Sequence, residues 1–184
     1  HLDPKRQLQV CQQCHLSGVS RVLMPGKSWD EYDPGTPLHE YLSIYTHASD
    51  DGPEFTISSQ GYRLSLSACS QKSEKTLTCT TCHNPHKRDK QFATEASCLS
   101  CHQPKDCGDT HGVGSKPCAS CHMHKGGTSD IPQVSFTDHF IRKRPAADQA
   151  KVSPKGIELV DAMATHRQTN NVNADQVRPV SYTH

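Results

Sequence analysis

The clearest apolar pattern in the chain lies between residues 36 and 47. Its members recur three or four positions apart, as on one face of a helix: Leu38, Tyr41, Leu42 and Tyr45. Thr36 has the side chain of a helix N-cap, and Pro37 suits the first helical turn. The sequence therefore predicts a short amphipathic helix, with His39 beside the apolar stripe and His47 opposite Leu38.

Two further segments have weaker patterns. Residues 54–66, EFTISSQGYRLSL, alternate enough to predict a short extended, hairpin-like segment. From Ser153, the stretch SPKGIELVDAMATHR predicts a capped helix with Ile157, Val160 and Ala164 on one side, which Gly156 weakens. The last residues are polar and without periodicity, which is typical of a segment that does not fold alone.

The composition explains why few elements are predicted. Only 33% of the 184 residues are hydrophobic and 5% are aromatic, so the chain alone buries a thin core. We expect a mainly irregular fold with short α-helices, stabilised by something other than protein. No apolar run of about eighteen residues occurs, so no membrane span is predicted.

The net charge bears on the partners that we expect, and the first residues bear on how the chain is processed. The formal net charge is +1, which gives no reason to expect nucleic acid or an anionic membrane as a partner. The sequence opens at HLDPKRQ, without a start methionine or an apolar export segment. We expect a processed product or a fragment.

Cysteine and histidine are both far above ordinary usage, with ten and thirteen residues. Eight of the cysteines form four C-x-x-C-H motifs. They are Cys11, Cys14 and His15; Cys79, Cys82 and His83; Cys98, Cys101 and His102; and Cys118, Cys121 and His122. The second and third pairs also have zinc-ribbon spacing. Histidine after every pair favours c-type haem over zinc, because C-x-x-C-H is its attachment signature.

The chemistry of haem attachment accounts for the motif spacing. Two cysteines form thioether bonds to the macrocycle, and the histidine that follows binds the iron as its proximal ligand. The sequence thus predicts four covalent haems c, whose apolar macrocycles supply the core that the chain lacks. Since 184 residues surround four haems, we expect neighbouring haems to be nearly in contact.

His86 is the first candidate for a distal iron ligand. It follows His83 by three residues in CHNPH, a tether of at most about 10 Å. That tether cannot pass around the macrocycle edge, so His86 is expected to bind the iron of a different haem, with Pro85 stiffening the link. The alternative is a solvated surface histidine.

Other histidines could complete the remaining irons. His111 lies in the flexible stretch GDTHGVGSKPC, and the alternative for it is a turn histidine. His139 lies in VSFTDHF, as expected of a ligand on a buried segment; the alternative role of this segment is that Asp138 supports a ligand from the outer shell. The candidates for the fourth distal ligand are His39 and His47. The alternative for each is an exposed histidine that binds no iron. Met24 and Met123 are alternative soft ligands, although methionine more often packs.

Two cysteines, Cys69 and Cys107, lie outside the motifs. Covalent haem attachment is completed outside the cytoplasm, where thiols tend to oxidise. We therefore predict a disulfide between them, which would stabilise the fold by about 3 to 4 kcal/mol. The alternative is two free buried thiols, because spacing alone does not establish connectivity.

Three stretches carry a family resemblance: GKSWDEYDPGTPLHEYLSIY, LTCTTCHNPHK and CHMHKGGTSDIPQVSFTDHFIRK. They resemble multihaem cytochromes c related to cytochrome c554, and the small tetrahaem cytochromes that polymerise into extracellular electron-conducting filaments. The resemblance implies mostly bis-histidine irons and supports distal roles for His86, His111 and His139. The chain departs from relatives at His124, at Gln133 and by lacking a histidine near SSQGYRL.

The expected function is electron transfer, not catalysis. The alternative is a multihaem reductase or oxidase with one open haem site that acts on a small nitrogen or oxygen species.

We expect a tetrahaem domain at residues 1–144 and a haem-free tail at residues 145–184 that packs on a neighbouring subunit. The expected partners are redox proteins or extracellular electron acceptors, together with further copies of the chain. We expect the protein to be exported and to lie at the cell surface, in the periplasm or outside the cell. A neighbouring subunit could supply an iron ligand from His39, His47, His166 or His184.

Overall fold

A computed structural model describes residues 2–16, 20–47, 57–73, 76–87, 95–107, 117–128, 131–143 and 159–161. Its helices are α1 (Pro4–His15), α2 (Gln60–Ser65), α3 (Ala68–Lys72), α4 (Cys79–Cys82), α5 (Glu95–Leu99) and α6 (Cys118–His122), with 3-10 turns at Leu38–Glu40 and Pro104–Cys107. Its strands are β1 (Ser20–Leu23), β2 (Leu42–His47), β3 (Lys125–Gly127), β4 (Ser135–Thr137) and β5 (Leu159–Asp161). Strands β1, β2 and β5 form one antiparallel sheet, and β3 and β4 form a second.

Helix α1 has a well-defined start and one buried polar anchor. The Asp3 carboxylate accepts the Arg6 backbone N–H at 2.9 Å, and Pro4 occupies the first helical position. Gln9 is buried, and its Oε1 accepts the Leu38 N–H at 3.2 Å. This hydrogen bond fixes α1 against the 3-10 turn.

The apolar core is small, as the composition predicts. Its buried members are Leu16, Leu38, Leu42 and Ile44, and the partly buried Leu23, Tyr32 and Tyr62 pack against them. All but Tyr62 belong to α1, the first two strands and the segments that flank them. The core therefore lies beneath the β1–β2 hairpin, next to the first cysteine motif.

The helix predicted between residues 36 and 47 is wrong. The chain forms a single 3-10 turn and then enters β2, whose register pairs Leu23 with Leu42 and Arg21 with Ile44. Residues four positions apart share a face in both a helix and a strand. The spacing of Leu38 and Leu42 therefore does not distinguish the two structures. The hydrogen bonds to β1 decide for the strand.

The extended segment predicted at residues 54–66 is also wrong over its described part. Residues 60–65 form α2, and Ser67 precedes α3. Helix α2 packs closely on α1, since a side chain at Gly61 would lie 2.9 Å from Cγ of Gln12. Glycine permits this close approach, and packing against α1 outweighs the weak alternation.

Three residues of the tail belong to the same sheet as the hairpin. Leu159–Asp161 form β5, which pairs Asp161 with Tyr45 and Leu159 with His47. The helix predicted from Ser153 is therefore wrong at these positions. This short stretch pairs within its own chain. The other residues of 145–184 lie outside the described ranges, so packing of the tail on a neighbouring subunit stays a prediction.

Within the described ranges, no helix has the length and apolar character needed to cross a membrane.

Candidate haem-attachment site

The four motifs lie on helical turns. The first ends α1, the second forms α4, the third runs from α5 into a turn, and the fourth forms α6. In the second motif the His83 N–H donates to the Cys79 carbonyl at 2.9 Å, and in the third the His102 N–H donates to the Cys98 carbonyl at 3.0 Å. Cysteines three positions apart on a helical turn lie on one side of it, which suits attachment to one macrocycle.

Thiols of different motifs lie near one another in chain order. Burial is the main cause that raises the pKa of Cys79 to about 12, and the nearby thiol of Cys11 adds to the shift. Burial is also the main cause that raises the pKa of Cys98, to which nearby Cys82 adds, and Cys118 lies near Cys98 as well. The first motif thus lies near the second, the second near the third, and the third near the fourth.

Three predicted ligand histidines converge. The rings of His83 and His139 stack with centroids 6.0 Å apart and an interplanar angle of 26°. Burial lowers the pKa of both, and the nearby His15 lowers it further in each. A lowered pKa favours the neutral imidazole, which is the form that binds a metal.

Two histidine rings have a defined tautomer. Nδ1 of His122 donates to the Arg142 carbonyl at 2.8 Å, and Nδ1 of His139 donates to the Thr137 carbonyl at 3.1 Å. A carbonyl oxygen only accepts, so Nδ1 carries a proton in both rings, and Nε2 is the nitrogen that can bind a metal when such a ring is neutral. Metal-binding histidines in proteins are held in this way. No sequence signal connected Arg142 with His122, because the contact is to backbone.

The other predicted distal histidines that the structure describes lie in three separate parts of the fold. His86 is exposed, and its backbone N–H donates to the Asn84 side chain at 3.0 Å in a tight turn after His83. His39 is buried, 6% exposed, in the 3-10 turn beside the core. His47 ends β2, and His111 lies outside the described residues. Met24 is half-buried, and its sulfur lies 3.7 Å from the Ser43 hydroxyl.

The predicted disulfide is not formed. Cys69 and Cys107 are both free, and Cys107 is exposed at the end of a 3-10 turn. Burial raises the pKa of Cys69, and the thiol of Cys101 near it adds to the shift. Cys69 also lies near Cys82. Its neighbours are therefore motif cysteines, a result that chain spacing could not give.

The residues present fit a covalently attached haem. Each motif offers two thiols and an imidazole, and a cavity of about 240 Å³ lies beside Cys14, lined partly by Trp29, Tyr32 and Tyr41. Over the described ranges, no group of three or more His, Cys, Asp or Glu side chains is placed to hold a metal ion.

Comparison with protein-family models, with curated proteins and with solved structures found no match. The motifs and their geometry therefore have to support any functional conclusion.

Proposed function

We propose that the protein is an electron carrier with four covalently attached haems c. The proposal rests on one observation, the fourfold C-x-x-C-H motif. In each motif the cysteines would hold the macrocycle and the histidine would be the proximal iron ligand. When bound, each haem supplies a one-electron Fe(III)/Fe(II) couple.

The closeness of consecutive motifs supports transfer between neighbouring sites. Cys11 lies near Cys79, and Cys98 lies near Cys118, so cysteines of consecutive motifs are close together. A carrier needs such proximity and no substrate pocket at the metal. We infer that attachment sites one to four follow one another in chain order.

The geometry of His139 supports a histidine as the second ligand of one iron. Burial is the main cause that lowers the pKa of His139, which favours the neutral imidazole, and the Thr137 carbonyl fixes its tautomer. We propose His139, His86 and His111 as distal ligands, with His39 or His47 as the fourth. Bis-histidine ligation gives potentials below those of methionine–histidine cytochromes.

The test is haem content and spin state of the purified full chain. We expect four haems per chain by pyridine haemochrome assay and intact mass, and a ferric spectrum that is entirely low-spin. The Cys79→Ala, Cys82→Ala double variant should lose one haem, whereas Cys69→Ala, the matched control outside the motifs, should keep all four.

Two results would contradict the proposal. A chain without covalent haem, prepared with the haem-attachment machinery, would exclude the cofactor. A high-spin ferric band that shifts with nitrite, cyanide or NO would instead indicate an open iron and a reductase.

We also propose that the protein is exported and that its copies associate into a filament. Covalent haem attachment outside the cytoplasm supports export, and the resemblance of three sequence stretches to filament-forming tetrahaem cytochromes supports assembly. Electron microscopy of the haem-loaded protein tests the assembly. Monodisperse monomers at high concentration, with every iron low-spin, would exclude it.

A further inference from the structure

Three fully buried polar side chains converge on the backbone around His139. Arg63 of α2, Ser67 before α3, and Asp138 are 0%, 0% and 1% exposed. Burying a charged pair is costly and is a weak source of stability. In a protein with so small an apolar core, a contribution to stability does not explain this buried cluster, so the cluster indicates a function.

Arg63 and Asp138 form a bidentate ion pair. Nε of the arginine donates to Oδ1 at 2.8 Å, and Nη2 donates to Oδ2 at 2.5 Å. Oδ1 also accepts the Phe140 backbone N–H at 2.9 Å. The carboxylate thus closes a turn that has His139 at its centre, and the arginine fixes the carboxylate.

Ser67 fixes the other side of this turn. Its hydroxyl donates to the His139 carbonyl at 3.0 Å and accepts the Ile141 N–H at 2.8 Å. The ring is fixed as well, since Nδ1 donates to the Thr137 carbonyl at 3.1 Å. Both the backbone and the imidazole of His139 therefore have defined positions.

The arginine also connects the turn to the first motif. Helix α2 contains Arg63 and packs on α1 through the close approach at Gly61. Helix α1 ends with Cys11, Cys14 and His15. The ion pair therefore fixes His139 relative to the first attachment site.

We propose that Arg63, Ser67 and Asp138 are positioning residues that orient His139 to bind an iron through Nε2. This rests on the proposed function. A metal ligand must be held to within about 0.5 Å by the residues around it, and these three side chains provide that support without contacting the iron.

The experiment begins with His139→Ala in the haem-loaded protein. We expect one haem signal in the ferric electron paramagnetic resonance spectrum to change from low-spin to high-spin, and added imidazole to restore it. That signal identifies the haem of His139. Ser67→Ala and Asp138→Asn should then shift the g values and midpoint potential of this haem more than those of any other.

Matched controls separate positioning from general stability. Ser43→Ala removes another hydroxyl that is 0% exposed, in β2. Asp33→Asn changes a carboxylate that accepts the Gly35 N–H at 2.9 Å in an exposed turn without an ion pair. Neither control should move the signal assigned to His139.

The outcomes distinguish this proposal from the proposed function. If Ser67→Ala and Asp138→Asn leave the assigned signal unchanged, or shift all haem signals alike, the positioning role is wrong while the four-haem carrier stands. If His139→Ala alters no signal, His139 is not a ligand and the positioning proposal fails. Should Asp138→Asn not fold, because Arg63 loses its counter-charge, Ser67→Ala alone decides.

Discussion

The region before residue 48 and the region of the last three motifs differ in what holds them together. Among the described residues, the first region contains the four apolar side chains that are buried, Leu16, Leu38, Leu42 and Ile44. Across residues 76–107 and 117–122, no described apolar side chain is buried, and α4, α5 and α6 have no buried residue. Over the described residues, the first region has an apolar protein core, and the second consists of hydrogen-bonded helical turns without such a core.

The difference indicates how each motif is supported. The first motif ends a capped helix that packs against the hairpin core. The other three lie on turns of four or five residues, which are too short to be stable in water alone. On the proposed function, haem supplies the missing apolar surface for motifs two to four, while the first region folds without it.

The largest expected effect comes from producing the full chain without haem. Amide hydrogen exchange should then show protection in α1, β1 and β2, and almost none at residues 76–87 and 95–107, because those residues lack a core. In the haem-loaded protein both regions should be protected. Equal protection of the two regions without haem would mean that they do not differ in their need for haem.

Leu38→Ala should give the next largest effect. Leu38 is 0% exposed at the centre of the core, so the truncation should lower the free energy of unfolding by about 2 to 5 kcal/mol. Val10→Ala, at a position 37% exposed on α1, is the control and should change it by less than about 0.5 kcal/mol. Denaturant unfolding of the haem-loaded protein measures both, and similar values for the two variants would mean that this core does not stabilise the first region.

The smallest effect is expected from the cap of α1. Asp3→Ala removes the acceptor of the Arg6 N–H and should cost about 1 kcal/mol of stability. Asp3→Asn retains an acceptor and should be close to neutral. Haem attachment at Cys11 and Cys14 should be unaffected by either change, as intact mass would show; loss of that haem would mean that the first region is not self-supporting.

The sequence predicted local features of the fold and missed those set by distant residues. The thin core followed from the composition. The strand at residues 42–47 did not, because its pairing with β1 decides between two structures that share the same apolar spacing. Helix α2 was missed for a similar reason, since its packing on α1 outweighs weak alternation.

The candidate site shows the same division. The proposed attachment residues form motifs within short stretches, so the sequence alone predicts them. The contact between Arg63 and Asp138 joins residues 75 positions apart, and the acceptor for His122 is a backbone carbonyl of Arg142. Neither leaves a local pattern, and a single sequence contains no other signal for them.

The sheet has a consequence for the order in which the chain folds. Strand β2 pairs on one side with β1, which precedes it closely, and on the other with β5, which follows all four motifs. Pairings between distant residues form late, because closing a long loop costs entropy. During synthesis the hairpin can therefore exist with one edge of β2 open, and an open edge can pair with another chain. Addition of β5 covers that edge only after every cysteine motif has been synthesised.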